Sequence, residues 1–192
     1  MRKVRGKIIA FTGAHGTGKT TAVYECAALL KKSSRTEIGL ITEVARDCPL
    51  PVYGKRRSVQ DFFAAQMWMF VTQMKREIEM ADRFETIVSD RTVVDVAAYS
   101  LFLGYEDLAA DQLALARNHI AVYDRIILIK AGCRPEYLAE DGFRGVDVKE
   151  QAEVEALLLR AYQELGIELL DHDQAVGVNN DNYAGQKATC EA

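Results

Sequence analysis

The chain has 192 residues, of which 27% are charged, and a formal net charge of −4. This length fits one domain, and the balance of apolar and charged residues is typical of a protein with its own core. The acidic balance argues against nucleic acid as a partner, because phosphate backbones bind to basic surfaces. The four cysteines, Cys26, Cys48, Cys133 and Cys190, are scattered. This scatter favours a reduced cytoplasmic compartment over a disulfide scaffold or a zinc site.

Short apolar runs alternate with longer segments of helical periodicity. The runs are KIIAFTG, IGLITE, ETIVSDR and DRIILIKA, with IELLDHD as a weaker fifth. Continuous runs rich in Ile, Val and Leu predict parallel strands that are buried on both faces. Helical patterns cover roughly 19–32, 58–84, 93–103, 107–121 and 148–165. The alternation predicts a three-layer α/β fold with helices on both faces of the sheet. No stretch has the about 20 apolar residues that a membrane-spanning helix needs, so we expect no membrane partner.

The segment between the first strand and the first helix carries a P-loop. Its sequence, GAHGTGKT from Gly13 to Thr20, fits the pattern G-x-x-x-x-G-K-[ST] between a predicted strand and a predicted helix. Main-chain amides of such a loop, together with the positive end of the helix dipole, bind phosphates. The predicted nucleotide-binding residues are Gly13, Ala14, His15, Gly16, Thr17, Gly18, Lys19, Thr20 and Thr21.

Two side chains of this loop have predicted roles in chemistry. Lys19 should reach the β- and γ-phosphates, and the Thr20 hydroxyl should bind Mg²⁺. His15 fills a variable position of the motif, and we interpret it as a solvent-facing loop residue. The guanine-reading N-K-x-D pattern, the protein-kinase H-R-D and D-F-G motifs and the transporter motif L-S-G-G-Q are absent from the sequence. With these motifs absent, the chain resembles the small-molecule kinase branch of P-loop proteins.

Charged residues follow the second and third predicted strands, at the sheet edge where ligands bind in such folds. Asp90 could hold Mg²⁺, and Arg91 could clamp a phosphate or the transferring phosphoryl group. Thr92-Val93-Val94-Asp95 fits a capping box, so we interpret Asp95 as a capping residue. Glu43 could accept or orient the acceptor hydroxyl, with Asp90 as the competing base. If the strands are placed correctly, these residues share one crevice with the P-loop and with the segment after Ala131.

Two stripes run along the helix predicted at 58–84. We interpret Phe63, Met67, Phe70, Met74 and Ile78 as core, because they recur at helical spacing. A neighbouring stripe, Phe62, Gln66, Met69 and Gln73, lies about 100° away. This stripe is either an acceptor pocket, which joins an aromatic ring to amides, or more core with polar boundary residues. The basic triplet Lys55, Arg56 and Arg57 before the helix is either a solvated charge run or a clamp for an anionic acceptor.

A lid is predicted within about 132–150. Arg144 lies between glycines in EDGFRG ahead of a helix, and Arg134 is a second candidate nearer the strand end. A mobile arginine above the nucleotide can supply positive charge to the transition state and help to exclude water. We expect a single P-loop kinase domain at 1–176, followed by a polar C-terminal tail at 177–192.

The segments GAHGTGKTT, ITEVAR, SDRTVVDVAAYS and DGFR occur in this order. Together they resemble the P-loop nucleoside and nucleotide kinases, with the strongest likeness to the nicotinamide-riboside-kinase-like proteins that have an AAA-type ATPase domain. The resemblance implies a P-loop NTPase fold with a central five-stranded parallel sheet and Mg-ATP as phosphate donor. It also implies phosphate and Mg²⁺ roles for Lys19 and Thr20, an acceptor or metal role for Asp90 and Arg91, and a lid role for Arg144.

We therefore expect an ATP-dependent kinase of a nucleoside, nucleotide or related metabolite. The predicted catalytic residues are Lys19, Glu43, Asp90, Arg91 and Arg144, the predicted metal ligands are Thr20 and Asp90, and the predicted acceptor-binding residues are Glu43, Arg46, Phe62, Gln66 and Arg91. A polynucleotide 5′-kinase and a regulatory nucleotide-hydrolysing switch are the alternatives. The identity of the acceptor and the choice between ATP and GTP stay open. A homodimer is one possible assembly.

Overall fold

A computed structural model of the chain describes residues 6–33, 36–50, 59–131 and 148–172. The strands are β1 (Lys7–Thr12), β2 (Ile38–Ile41), β3 (Thr86–Asp90), β4 (Tyr123–Leu128) and β5 (Leu170–Asp171). The helices are α1 (Lys19–Ser33), α2 (Val59–Arg83), α3 (Val93–Phe102), α4 (Glu106–His119) and α5 (Val148–Glu164). Short 3₁₀ helices cover Val44–Asp47 and Ile120–Val122. The predicted Lys55–Arg57 triplet, Arg134, Arg144, most of the predicted lid and the predicted tail lie outside the described residues.

The five strands form one parallel sheet in the order β2-β3-β1-β4-β5. This arrangement confirms the predicted α/β fold and its five-stranded sheet. In β1, Ile8 and Ala10 belong to one cluster of buried side chains and Phe11 belongs to another, so both faces of the strand are covered. Helix α1 supplies Ala22 and Val23 to the cluster on the Phe11 face, and helices α2 to α5 contribute to the other. Burial on both faces explains the continuous apolar runs in the sequence.

The carboxyl ends of β1, β2 and β3 carry the predicted site residues, and the N-terminus of α3 begins there. Thr92 precedes α3, and its hydroxyl accepts hydrogen bonds from the amides of Val94 and Asp95. The Asp95 carboxylate in turn accepts from the Thr92 amide at 3.0 Å, which completes a capping box. The interpretation of Asp95 as a capping residue is therefore confirmed. Among the described residues, no helix is long and apolar enough to span a bilayer.

The prediction for the two stripes of α2 was partly wrong. Phe70 is buried as expected, but Phe63, Met67 and Ile78 are 45%, 41% and 48% exposed. The neighbouring stripe is the buried one, and its members Phe62, Gln66, Met69 and Gln73 are all at most 9% exposed. The helix is rotated so that its amide-bearing stripe faces the interior, because Gln73 and Glu77 have polar partners there.

Those partners form a buried polar cluster around Glu77, which is fully buried. Its carboxylate lies 2.6 Å from Nε2 of His119 and accepts hydrogen bonds from Tyr123 Oη and from Nε2 of Gln73, the latter at 2.8 Å. The Gln73 amide also lies 3.2 Å from the carbonyl oxygen of Arg91. The cluster thus connects α2, α4 and β4 to the end of β3.

Burial raises the pKa of Glu77 above its ordinary value of 4.5, and the hydrogen bonds of the cluster oppose that shift only in part. A raised carboxyl pKa means that the folded protein binds the proton more tightly than the unfolded chain. The free energy of unfolding should therefore fall as the pH rises from about 4.5 through the folded pKa, by at most about 1.4 kcal/mol per pH unit. In Glu77→Gln this component should be missing. Chemical denaturation of both proteins across pH 4.5 to 8 measures it, and a pH-independent difference between them would contradict the expectation.

Candidate nucleotide-binding site

The P-loop between β1 and α1 has a backbone that requires glycine. Gly13 has φ 144°, and a Cβ atom there would lie 2.3 Å from the carbonyl oxygen of Ile129. Gly18 has φ 84°, in the left-handed region that side chains disfavour. These two positions explain why the loop carries glycine where the P-loop pattern demands it.

Lys19 lies at the first position of α1 and is only 5% exposed. Its ammonium group donates to the carbonyl oxygen of Ala14 and lies 3.3 Å from the hydroxyl of Thr17. The side chain therefore folds back over the loop that the sequence assigns to phosphates.

His15 is buried, 7% exposed, so the prediction that it faces solvent was wrong. Its Nδ1 lies 3.4 Å from the hydroxyl of Tyr99 on α3. Its carbonyl oxygen accepts a hydrogen bond of 2.8 Å from Gln151 on α5. The two helices pack over this side of the loop, and neither is near His15 in the sequence.

Thr20 and Asp90 meet at the mouth of the P-loop. The exposed hydroxyl of Thr20 donates to Oδ2 of Asp90 at 2.7 Å. The other carboxylate oxygen, Oδ1, is buried and has no hydrogen-bond partner among the described residues. Burial raises the pKa of Asp90, and the positive charges of Lys19 and Arg91 oppose that shift. A hydroxyl and a carboxylate with an unsatisfied oxygen, side by side, are the oxygen donors that Mg²⁺ prefers.

Arg91 connects the third strand to the second. Its Nε lies 3.2 Å from Oε1 of Glu43, and both side chains are 8% exposed. The other oxygen of Glu43 lies 3.1 Å from Nε of Arg46. Arg91 also reaches back to the P-loop, because its Nη1 lies 3.4 Å from the carbonyl oxygen of Gly13. The residues that follow the first, second and third strands lie in contact with one another, as predicted. The part of the predicted crevice after Ala131 lies outside the described residues.

The backbone of Arg91 is unusual, with φ 77° in a residue other than glycine. This conformation costs on the order of 1 kcal/mol or more, and strain of this kind collects at functional sites. The main chain is held by Phe11, whose carbonyl accepts the Arg91 amide at 2.9 Å, and by Ser89, whose hydroxyl donates to the Arg91 carbonyl at 2.8 Å. Burial disfavours the charged guanidinium, but interactions with Tyr99 and Glu43 outweigh it and raise the pKa of Arg91.

The inner face of α2 adds the predicted acceptor residues. Phe62 and Gln66 are buried, and Oε1 of Gln66 has no hydrogen-bond partner among the described residues. Helix α2 ends three residues before β3 begins, so its N-terminal half lies toward the carboxyl ends of the strands. Phe62 and Gln66 belong to that half. This location is the one expected for a pocket that continues the crevice.

Comparison with known proteins identifies the family of the chain. A protein family described as "AAA domain" matches residues 8–176. The chain belongs to this family. No curated protein matches it in sequence. The AAA-domain chain also has the fold of two solved kinases, each at 16% identity.

One solved structure is a deoxyadenosine kinase from M. mycoides with dCMP and dCDP bound, at a TM-score of 0.65, covering 92% of the AAA-domain chain and 99% of the kinase. The other is the thymidylate kinase from Candida albicans, at a TM-score of 0.60. The alignment covers 95% of the AAA-domain chain and 93% of the thymidylate kinase. The predicted resemblance to the P-loop nucleotide kinases is therefore confirmed at the level of family and fold.

Sequence reasoning missed three residues of the site in this AAA-domain chain. Tyr99 lies under the Arg91 guanidinium, whose Cζ is 4.8 Å from the ring centroid. Helical spacing could have predicted the contact between Arg91 and Tyr99, because Asp95 and Tyr99 follow Arg91 at intervals of four residues. Gln151 lies 136 positions from its partner His15, and the Ser89 hydroxyl donates to the carbonyl of Arg91, two residues along the chain. No sequence pattern indicates either contact.

The residues present fit a nucleotide and Mg²⁺. The loop offers main-chain amides, a lysine and glycines at positive φ, and Thr20 with Asp90 offers oxygen donors. Within the described ranges, no group of three or more His, Cys, Asp and Glu side chains could hold a metal ion. The Thr20 hydroxyl and the Asp90 carboxylate fit Mg²⁺, which is commonly held by one or two protein oxygens together with substrate phosphates and water.

Proposed function

We propose that the chain is a Mg-ATP-dependent phosphotransferase that acts on a nucleoside, nucleotide or related small metabolite. The observation that carries the proposal is the convergence of Thr20, Asp90, Arg91 and Glu43 at the mouth of the P-loop, where one oxygen of the Asp90 carboxylate has no hydrogen-bond partner among the described residues. The two structural neighbours, a deoxyadenosine kinase and a thymidylate kinase, support the same class of reaction. Their low identity leaves the acceptor open.

In this proposal the P-loop holds the donor. The amides of residues 13–21 bind the phosphates, and Lys19 leaves the Ala14 carbonyl to contact the β- and γ-phosphates. Thr20 and Asp90 hold Mg²⁺, which when bound neutralises charge on the phosphate oxygens. Arg91 lies between Glu43 and the P-loop carbonyl of Gly13. We infer that its guanidinium contacts the transferring phosphoryl group.

The acceptor hydroxyl attacks the γ-phosphorus, the bond from that phosphorus to the β-phosphate oxygen breaks, and ADP leaves with the bonding electron pair. The hydroxyl proton passes to a carboxylate, and Glu43 and Asp90 are both candidates. Glu43 contacts Arg91 and Arg46 through its two carboxylate oxygens. Phe62 and Gln66 contact the acceptor, and Arg46 orients Glu43 from the other side. Arg144, outside the described residues, is proposed to act from the lid.

An acceptor panel with γ-labelled ATP or GTP tests the proposal. Transfer of label to a nucleoside, nucleotide or related metabolite supports it. Label that moves to the 5′ end of an oligonucleotide indicates a polynucleotide kinase, and label released only to water indicates a nucleotide-hydrolysing switch. The use of both triphosphates in the same panel decides the donor preference.

Gln66 offers a separate test of the acceptor pocket. In Gln66→Leu the acceptor KM should rise about 10–100-fold, because the side chain loses its hydrogen bond to the acceptor while ATP binding is unaffected. The thermal stability should be equal or higher, since the substitution removes a buried oxygen that has no hydrogen-bond partner within the described part of the chain. Gln163→Leu on the exposed side of α5 is the matched control. An unchanged acceptor KM in Gln66→Leu would remove Gln66 from the pocket.

A further inference from the structure

The turn between β3 and α3 is held by buried polar side chains to which the proposed reaction gives no direct role. The carbonyl oxygen of Arg91 accepts two hydrogen bonds, one from the Ser89 hydroxyl at 2.8 Å and one from Nε2 of Gln73 at 3.2 Å. The same nitrogen of Gln73 lies 3.2 Å from the Ser89 hydroxyl. Gln73 and Ser89 are at most 1% exposed, so these bonds are shielded from bulk water.

Glu77 fixes the orientation of the Gln73 amide. A carbonyl oxygen can only accept, so the group of Gln73 that faces the Arg91 carbonyl is the nitrogen and not the oxygen. That nitrogen also donates to Oε1 of Glu77 at 2.8 Å. Glu77 accepts a second hydrogen bond from Tyr123 Oη, which in turn accepts the amide of Val93 at 3.1 Å. One buried carboxylate therefore lies behind contacts to both sides of the turn.

These contacts bear directly on the unusual backbone of Arg91. A residue other than glycine keeps φ 77° only where the surrounding structure imposes it. Rotation of this main chain toward an ordinary φ would move the Cβ atom and with it the guanidinium. The Nε of that guanidinium lies 3.2 Å from Glu43, and its Nη1 lies 3.4 Å from the carbonyl oxygen of Gly13. The bonds to the main chain thus decide where the side chain can reach.

We propose that Gln73 and Ser89 are positioning residues, which hold Arg91 in its positive-φ conformation and so keep its guanidinium between Glu43 and the P-loop. In the proposed function, on which this inference rests, that guanidinium contacts the transferring phosphoryl group. Gln73 and Ser89 act through Arg91 and have no contact of their own with the nucleotide. Their loss should therefore lower the rate of the chemical step more than the binding of ATP.

The chain offers a matched control for this pair. Ser100 and Gln112 form a second buried serine–glutamine pair, in which the Ser100 hydroxyl donates to Oε1 of Gln112 at 2.8 Å. Their other hydrogen bonds among the described residues go to main-chain carbonyls of α2 and α3. Gln112→Met and Ser100→Ala therefore remove comparable buried hydrogen bonds without touching Arg91.

Nuclear magnetic resonance of the full ¹⁵N-labelled chain tests the position of Arg91 without nucleotide or acceptor. The Nε–H signal of Arg91 is identified by its loss in Arg91→Gly. We expect Gln73→Met and Ser89→Ala to shift this signal and to raise its exchange rate with solvent about tenfold or more, because the bond to Glu43 is weakened. Gln112→Met and Ser100→Ala should leave both quantities as in the wild type.

Initial rates with γ-labelled ATP and the acceptor test the consequence for the reaction. Gln73→Met and Ser89→Ala should each lower kcat about 10–100-fold, because a small displacement of a group that orients the reactants is costly. The KM for ATP should stay within about twofold of the wild type. In the Arg91→Gly background neither substitution should lower kcat further, whereas a purely structural role would lower it in both backgrounds.

An Arg91 signal that is unchanged in Gln73→Met and Ser89→Ala overturns the positioning role, whether or not the chain transfers phosphate. If the signal changes but the wild type transfers no label to any acceptor, the positioning role stands and the proposed function fails. If the wild type transfers label, an unchanged kcat with a raised acceptor KM in Gln73→Met overturns the positioning role and assigns Gln73 to the acceptor pocket. Circular dichroism identifies loss of folding. Ser89→Ala removes a single oxygen atom, so it keeps the test decisive if Gln73→Met does not fold.

Discussion

Lys19→Ala is expected to lower phosphoryl transfer by on the order of 10³-fold while the protein stays folded. The ammonium group is the charge that the proposed mechanism aims at the β- and γ-phosphates, and such electrostatic contributions are among the largest in catalysis. In the structure the Lys19 ammonium group donates to the carbonyl oxygen of Ala14 and lies 3.3 Å from the hydroxyl of Thr17. We expect its removal to change the free energy of unfolding by about 1 kcal/mol. Initial rates with γ-labelled ATP and thermal unfolding measure the two quantities.

Lys32→Ala is the control for this substitution. Lys32 lies on the same helix and is exposed, so its loss should leave both the rate and the stability near those of the wild type. Phosphoryl transfer by Lys19→Ala at a rate close to that of Lys32→Ala would remove the P-loop from the mechanism.

Asp90→Asn is expected to raise the Mg²⁺ concentration needed for half-maximal activity by about 10–100-fold. The asparagine side chain keeps an oxygen that can accept the Thr20 hydroxyl, so the local hydrogen bond survives while the negative charge is lost. The fold should tolerate the change, because burial already disfavours the charged form of Asp90. A Mg²⁺ titration at saturating ATP, with stability followed in parallel, measures the effect.

Asp82→Asn is the matched control, since Asp82 is an exposed carboxylate near the end of α2. Its Mg²⁺ dependence should equal that of the wild type. If Asp90→Asn loses activity at every Mg²⁺ concentration with no change in the half-maximal value, Asp90 acts as the base and not as a metal ligand. The experiment thereby separates the two roles that the sequence leaves open.

Local signals allowed most of the fold to be predicted. The strands are buried on both faces, so they appear as continuous apolar runs, and the P-loop needs glycine at fixed intervals because its backbone adopts positive φ angles. The capping box around Thr92 and Asp95 is likewise local, since its partners are three residues apart. The sites after β2 and β3 followed from the rule that ligands gather at the carboxyl ends of parallel strands.

The failures concern partners that are distant in sequence. Apolar periodicity gives the faces of α2, but it does not say which face is buried and which is exposed. The buried face is the one that carries Glu77, because its hydrogen-bond partners His119 and Tyr123 lie in the interior. Both partners are more than 40 positions away in the sequence. His15 is buried for the same kind of reason, by contacts with Tyr99 and Gln151. The positive φ of Arg91 has no sequence signal, because it is imposed by the bonds of its main chain to Phe11 and Ser89.

At Arg91 the backbone conformation that lowers stability occurs in the residue whose side chain is proposed to take part in the reaction. Glycine alone would adopt φ 77° without cost, but glycine has no guanidinium to offer the phosphoryl group. Any other side chain inherits the strain and loses the fork that contacts Glu43 and Gly13. Selection of variants for heat resistance alone would therefore tend to drift away from arginine here, and only a selection that also demands turnover would retain it.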